Sequence, residues 1–204
     1  MNKKIKVSVI VVSLNTLIDF KKTINSINSQ TFKKFEIIVI DGGSTDGTIK
    51  EIKKNKNSFS NYLIERDNGI YHAMNKGIKL SKGKWIIFMN SGDTFHKKKT
   101  LENFFSEDVK EHDIIYGDTI VNSKKLKYLV ESTAFDNKTL SMPFCHQSVF
   151  VKSILLKKKN FSLIYKYSSD FEFFFNCFER KKKFKRINMI ISNVKSGGLA
   201  DKKR

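Results

Sequence analysis

The chain has 204 residues, 40% of them hydrophobic and 12% aromatic, which supports one domain with a buried core and leaves too little for a second independent one. Lys and Arg number 39 against 20 Asp and Glu, a formal charge of +19 that points to a polyanionic partner: nucleic acid, an anionic membrane surface or a phosphorylated small molecule. Cys145 and Cys177 stand far apart without CxxC spacing, which argues against a disulfide framework or a zinc site and fits a reduced cytosolic compartment.

The apolar run from Val7 to Leu14 is short, is broken by Ser8 and Ser13, and precedes no cleavage site, so the start of the chain is not read as a signal peptide. No stretch reaches the roughly 18 apolar residues of a membrane-spanning helix. Ile5 to Val12 is almost wholly β-branched and predicts a first, central strand. From Leu17 to Gln30, Phe20, Ile24 and Ile27 recur at helical spacing, with lysines on the other face. Phe35 to Ile40 predicts a second buried strand ending at Asp41. The turn Asp41-Gly42-Gly43-Ser44-Thr45-Asp46-Gly47 follows, with Ser44 or Thr45 as the cap of a helix through Ile49 and Ile52. A strand-end Asp in this position is placed to accept hydrogen bonds from a nucleoside base or ribose; the alternative is an ordinary Gly-rich connection. Neither GxGxxG nor GxxxxGK[ST] occurs.

Tyr62 to Ile64 predicts a short third strand, and Ile70 to Ser81 a helix that Ala73 and Gly77 allow to pack closely on the sheet. Asp67, Asn68 and Gly69 fall at its amino end, where backbone N–H groups and the helix dipole favour anions. Trp85 to Met89 is an unbroken apolar run of strand length, expected where helices cover both faces of a sheet. It ends in Asn90-Ser91-Gly92-Asp93, a carboxylate at the carboxyl end of a buried strand, where open α/β sheets bind ligands; the alternative is a cap for a helix from Thr94. Three strands thus end in acid-containing turns, and the carboxyl edge of one sheet would gather Asp41, Asp67 and Asp93 around a nucleotide-sized cleft.

Beyond Asp93 the pattern is less regular. Leu101 to Phe105 reads as helix, Asp113 to Tyr116 as a strand, and Gly117 to Val121 with Lys127 to Val130 as a hairpin around Asn122-Ser123-Lys124. Phe135 to Met142 reads as a helix stopped by Pro143. His146 precedes a β-like run, and a lone His of this kind is either structural or a contact to phosphate or sugar. Phe171, Phe174, Phe175 and Phe178 are expected to form the buried stripe of a helix whose first turn carries Asp170. Glu172 points about 200° away around that helix. Arg180 to Arg186 holds six cations in seven positions, either a solvated loop or a docking patch for anionic lipid.

DGGSTDGT, ERDNGIYHAMNKGIKLSKGKWIIFMNSGD and the opening VSVIVVSLN resemble the nucleotide-binding half of family-two glycosyltransferases of the GT-A fold, particularly bacterial enzymes that assemble O-antigen, capsule or exopolysaccharide units. MPFCHQSVFVK, SSDFEFFF and a terminal SGGLA continue the likeness more weakly. The resemblance implies a Rossmann-like α/β/α sandwich with a mostly parallel sheet, in which residues 1–93 bind the nucleotide sugar and 94–204 face the acceptor. It implies inverting, metal-dependent transfer from a nucleoside diphosphate sugar, UDP by default, to a hydroxyl of a polyprenyl-diphosphate-linked or oligosaccharide acceptor, by a cytoplasmic enzyme peripheral on the inner face of the membrane. Residue by residue, Asp41, Asp67, Asn68, Gly69, Ser91 and His146 resemble donor contacts, Asp170 the general base with Glu172 as fallback, and Asp93 the last acid of the motif for Mn2+ or Mg2+. The commoner motif carries further acids where this chain has Asn90 and Gly92, which leaves one carboxylate and implies that metal binds together with donor. Two other readings remain: a basic nucleic-acid-binding protein, which charge alone supports, and a glycosyltransferase-like protein without activity.

Overall fold

The computed structural model describes residues 5–123, 125–136 and 141–196. In chain order the elements are β1 (Val7–Ser13), α1 (Leu17–Asn28), β2 (Phe35–Asp41), α2 (Thr48–Lys54), β3 (Asn61–Ile64), α3 (Ile70–Leu80) and β4 (Trp85–Phe88). There follow β5 (Thr94–Phe95), α4 (Thr100–Ser106), β6 (Ile114–Asn122), β7 (Lys127–Val130), β8 (Val149–Lys152), α5 (Ser153–Lys158), α6 (Ser169–Glu179) and β9 (Phe184–Lys195).

β1 is buried along its whole length because its side chains alternate between two apolar layers. Val7, Val9 and Val11 pack with Phe20, Ile24 and Ile27 of α1, Ile52 of α2 and Phe104 of α4. Ile10 and Val12 face the other way, onto Met74 and Ile78 of α3 and Phe173 and Phe174 of α6. Each such aliphatic side chain removed from water contributes about 1.5–3 kcal/mol, so the alternation itself specifies a three-layer sandwich. Gly77 permits the close approach of α3, since a Cβ there would come within 2.5 Å of the Ile10 side chain.

The strands of the described residues form one sheet in the order β3-β2-β1-β4-β8-β6-β9-β5, with β7 paired to β6. β3, β2, β1 and β4 are parallel. β8 runs antiparallel to both β4 and β6, β9 is parallel to β6, and β5 and β7 are antiparallel additions. The sheet is therefore parallel in its first half, as expected, and mixed in its second.

Several expectations need correction. The chain after Asp93 enters β5 rather than a helix, and α4 starts only at Thr100, so Asp93 caps nothing. The strand read over Asp113 to Tyr116 and the one read over Gly117 to Val121 merge into β6, Ile114–Asn122, with a register irregularity beside Gly117, where a Cβ would lie 2.3 Å from the Met189 carbonyl. Phe135, Asp136, Ser141 and Met142 are not helical, and the rest of that segment lies outside the described residues, as does most of SGGLA. α2 is capped by neither Ser44 nor Thr45: Gly47 precedes it at φ 99°, and Asp46 accepts from Thr48 N–H at 3.0 Å. In α6 the buried residues are Ser169, Phe173, Phe174 and Cys177, while Phe175 is exposed, so the stripe is rotated from the one read in the sequence. β9 was missed because charged and amide residues interrupt its alternation, although Ile187 and Ile191 are core.

Candidate functional site

The carboxyl ends of β1, β2, β3 and β4 lie along one edge. In register, Ser13 pairs with Asp41 and Asp41 with Ile64, while Met89 and Ser91 donate N–H bonds to the carbonyls of Ile10 and Val12. Asp41, Asp67 and the Asn90–Asp93 turn thus share this edge, as the sequence predicts.

Their states differ. Asp41 is fully buried, and its carboxylate accepts from Ser13 Oγ and Ser44 Oγ, both at 2.7 Å, and from the N–H groups of Gly43 at 3.1 Å and Ser44 at 2.8 Å. Four donors occupy its lone pairs, so this side chain shapes the turn. Asn15 at φ 53° ties the neighbouring tip in, accepting the Thr45 N–H on Oδ1 at 2.7 Å. Asp67 accepts from Lys76 Nζ at 2.5 Å through Oδ1, while its Oδ2 lies beside Gly42. Asn68 N–H donates to His72 Nδ1 at 3.0 Å.

Asp93 is 4% exposed. Burial pushes its carboxyl up to about 7, opposed by hydrogen bonds from the Lys195 N–H, at 3.2 Å to Oδ1, and from the Gln147 side chain. Beside it, Asn90 Oδ1 and Ser91 Oγ are buried without a hydrogen-bond partner among the described residues. Buried polar atoms are normally satisfied, so their clustering at a strand tip makes this turn a candidate ligand site. Among the described residues no group of three or more His, Cys, Asp or Glu is arranged to hold a metal ion. The donor set instead fits an ion that takes one carboxylate and completes its shell with phosphate oxygens and water.

The short 3-10 turn His146–Ser148 joins the two halves of the site. Gln147 reaches Asp93, while His146 stacks on Phe88 of β4 at 5.0 Å and presents Nδ1 to Asp170 Oδ2 at 3.7 Å. At that distance the pair is a near contact. Burial lowers the imidazole pKa below its ordinary value despite the nearby carboxylate, so the ring is neutral at neutral pH, and neither nitrogen has a hydrogen-bond partner among the described residues.

Asp170 stands in the first turn of α6. Its Oδ1 accepts from Tyr71 OH at 2.8 Å and from the Phe171 N–H at 3.0 Å. Glu172 accepts on Oε1 from Lys159 Nζ and from Asn176 Nδ2, both at 2.7 Å, so it is an ion-pair partner on another face of the helix and not a second base beside Asp170. Beside Tyr71 a hollow of about 480 Å³ opens between residues 68–71 and 163–166. Leu163, Ile164 and Tyr165 at its rim are 56%, 88% and 49% exposed.

The basic cluster lies elsewhere. β9 begins level with Ile114, at the amino edge of the sheet, so Arg180 to Lys183 stand at the far end of α6 from Asp170. Lys183, Lys185 and Arg186 pair with Glu111, Glu107 and Asp118. Sequence reading missed Tyr71, Gln147 and Lys195. The first two fall inside quoted motifs; nothing local marks Lys195, whose Nζ pairs with Asp19 at 2.5 Å.

Comparison with known proteins places this geometry in context. Residues 8–187 match the family profile described as glycosyl transferase family 2. The chain is 30% identical over 208 residues to a PGL/p-HBAD biosynthesis glycosyltransferase of Mycobacterium bovis, covering 95% of this chain and 78% of that one. An uncharacterised glycosyltransferase of Rickettsia bellii is 39% identical over 118 residues, covering 56% of this chain and 16% of that one. Among solved structures, S. aureus TarS 1-349 in complex with UDP-GlcNAc superposes with a TM-score of 0.77 at 21% identity, over 98% of this chain and 61% of that one. The Pyrobaculum calidifontis mannosyltransferase PcManGT, in complex with GDP-Man and Mn2+, gives 0.72 at 14% identity, over 95% and 58%. This chain therefore spans about three fifths of the length of those two structures, and at such identities they establish the fold alone.

Proposed function

The chain belongs to glycosyl transferase family 2, and from that premise we propose that it transfers a sugar, with inversion, from a nucleoside diphosphate donor to a hydroxyl of a lipid-linked acceptor in bacterial surface polysaccharide or glycolipid assembly. The observation that carries this reading is the carboxyl edge, where the acid-containing turns meet the unpaired Asn90 Oδ1 and Ser91 Oγ, together with His146, which stands 3.7 Å from Asp170. UDP is the nucleotide we favour. Asp41 acts through the turn it holds, and Asp67, Asn68 and Gly69 present the groups that meet the nucleoside and its phosphates. Asp93 would hold Mn2+ or Mg2+ jointly with the diphosphate, and the bound ion would supply electrostatic stabilisation of the leaving group. The amino end of α3 adds positive potential on the same edge. Asp170 takes the acceptor proton through Oδ2, the acceptor oxygen bonds the anomeric carbon, and the electron pair of the broken C–O bond leaves with the nucleoside diphosphate. One face for the nucleophile and the other for the leaving group gives inversion.

A thermal-shift series tests the donor assignment. UDP or a UDP-sugar with Mn2+ is expected to raise the midpoint more than nucleotide or ion alone, since a ligand at about 100 times its Kd adds about 2.7 kcal/mol to the native state. If no nucleoside diphosphate moves the midpoint, with or without Mn2+, the donor reading is wrong.

The acceptor assignment draws support from the rim Leu163-Ile164-Tyr165. Three consecutive apolar side chains facing water beside the hollow suit an acceptor with an apolar carrier, or the membrane that holds it. This moves the expected membrane contact away from Arg180 to Arg186, which stands at the opposite edge. Ile164→Ser is expected to cost about tenfold in kcat/KM with a lipid-linked acceptor, the equivalent of losing one buried aliphatic contact, and to be silent with a short water-soluble acceptor. Equal effects on both would remove the rim from acceptor binding.

A further inference from the structure

We infer that Tyr71 is a positioning residue for the transfer step: it fixes one oxygen of Asp170 so that the other is presented to the acceptor hydroxyl. This rests on Asp170 being the base. The two residues are 99 positions apart and come from opposite halves of the chain, Tyr71 in the first turn of α3 and Asp170 in the first turn of α6. Tyr71 is 8% exposed, with its ring against Phe161 at 5.5 Å. Burial and the adjacent Asp170 charge hold the phenol well above its ordinary pKa, so it remains a donor throughout the working range.

The geometry divides the carboxylate. Tyr71 OH and the Phe171 N–H both donate to Oδ1, at 2.8 and 3.0 Å, whereas among the described residues Oδ2 meets only His146 Nδ1, at 3.7 Å. A carboxylate turns easily about its last torsion, and a single backbone donor serves either oxygen equally well. A second donor, on a different element, removes that freedom. Tyr71 also lines the hollow at residues 68–71 and 163–166, so the group that orients the base forms part of the wall along which an acceptor would lie. The proton therefore passes to an oxygen whose direction is set before the acceptor arrives, and small misplacements of such a group are costly in rate.

The test is Tyr71→Phe in the full chain, which keeps the ring and removes only the hydroxyl. At saturating donor and acceptor, kcat is expected to fall about tenfold, within the cost of a mispositioned catalytic group, while both KM values and the UDP affinity stay within about twofold. The same substitution is then made beside Asp170→Glu, whose longer side chain carries the carboxylate out of the Tyr71 contact. There it is expected to cost less than about twofold, because interaction between the two sites disappears. That comparison is made within one background, so it stands whatever Tyr71→Phe costs in stability. Unchanged kcat in Tyr71→Phe, or the same tenfold loss in both backgrounds, would overturn the inference. Failure of the underlying reading looks different: an Asp170→Asn enzyme of full activity removes the base itself, whereas an impaired Asp170→Asn with a fully active Tyr71→Phe removes only the tether.

Discussion

Asp170→Asn is expected to lower kcat by about 10²–10⁴, the usual contribution of a positioned general base, while leaving UDP affinity within about twofold. The amide preserves the size of the side chain, and its oxygen still accepts from Tyr71 OH and the Phe171 N–H, so the first turn of α6 keeps its hydrogen bonds. What disappears is the basic lone pair on the Oδ2 side, beside His146. His146 does not replace it, because it is enclosed, stacked on Phe88 and packed at a tilt against Phe161. Glu172 does not replace it either, since reaching the acceptor would mean giving up Lys159. The competing role for Asp170 is complementing the dipole of α6, worth roughly 0.3–1 kcal/mol of stability and nothing in turnover. Steady-state kinetics with saturating donor separates the two, and an undiminished kcat would reduce Asp170 to a stabiliser of its helix.

Asp93→Asn is expected to act in opposite directions on activity and on stability. Loss of the one carboxylate at the β4 turn should lower kcat/KM by about 10²–10³, the scale of removing one preorganised electrostatic stabiliser, and abolish the added thermal shift of Mn2+ with nucleotide. Stability in the absence of metal should improve at alkaline pH. The carboxyl is raised from its ordinary value of 3.8 to about 7 in the folded chain, chiefly by burial. Between those values the native state keeps a proton that the unfolded chain has lost, so its contribution is fully present below about pH 4 and is lost as the pH rises through 7. The cost is on the order of a few kcal/mol at most. In EDTA, the fall in thermal midpoint from pH 5 to pH 8 should therefore be smaller in Asp93→Asn than in the parent. A variant with the parental pH slope would mean that Asp93 is better solvated than its surroundings imply, and one that keeps its Mn2+ response would place the ion on other ligands.

The first 93 residues were legible because their signals are local. Alternating faces of β1, the 3- and 4-residue spacing of Phe20, Ile24 and Ile27, and close packing at Gly77 each follow from a few neighbouring residues, and the cores they predict are the cores observed. Asp41, Asp67 and Asp93 share an edge because parallel strands joined by crossover helices end on the same side. The rotated stripe of α6 shows where that reasoning weakens: with Phe at 171, 173, 174, 175 and 178, the apolar spacing fits more than one helix face, and the neighbouring core selects the one centred on Phe173 and Phe174. β9 shows the same limit, since its partner β6 and not its own composition makes it a strand.

By itself, then, the sequence determined the layered α/β framework and the edge at which the acidic turns gather. Only the tertiary structure decided their states: Asp41 consumed by the turn it organises, Asp93 desolvated between Gln147 and the Lys195 N–H, Asp170 gripped by Tyr71, and Glu172 diverted to Lys159. Secondary structure is written in neighbours three or four residues apart, whereas the protonation and orientation of a buried carboxylate depend on donors that folding brings from as far as 102 residues away.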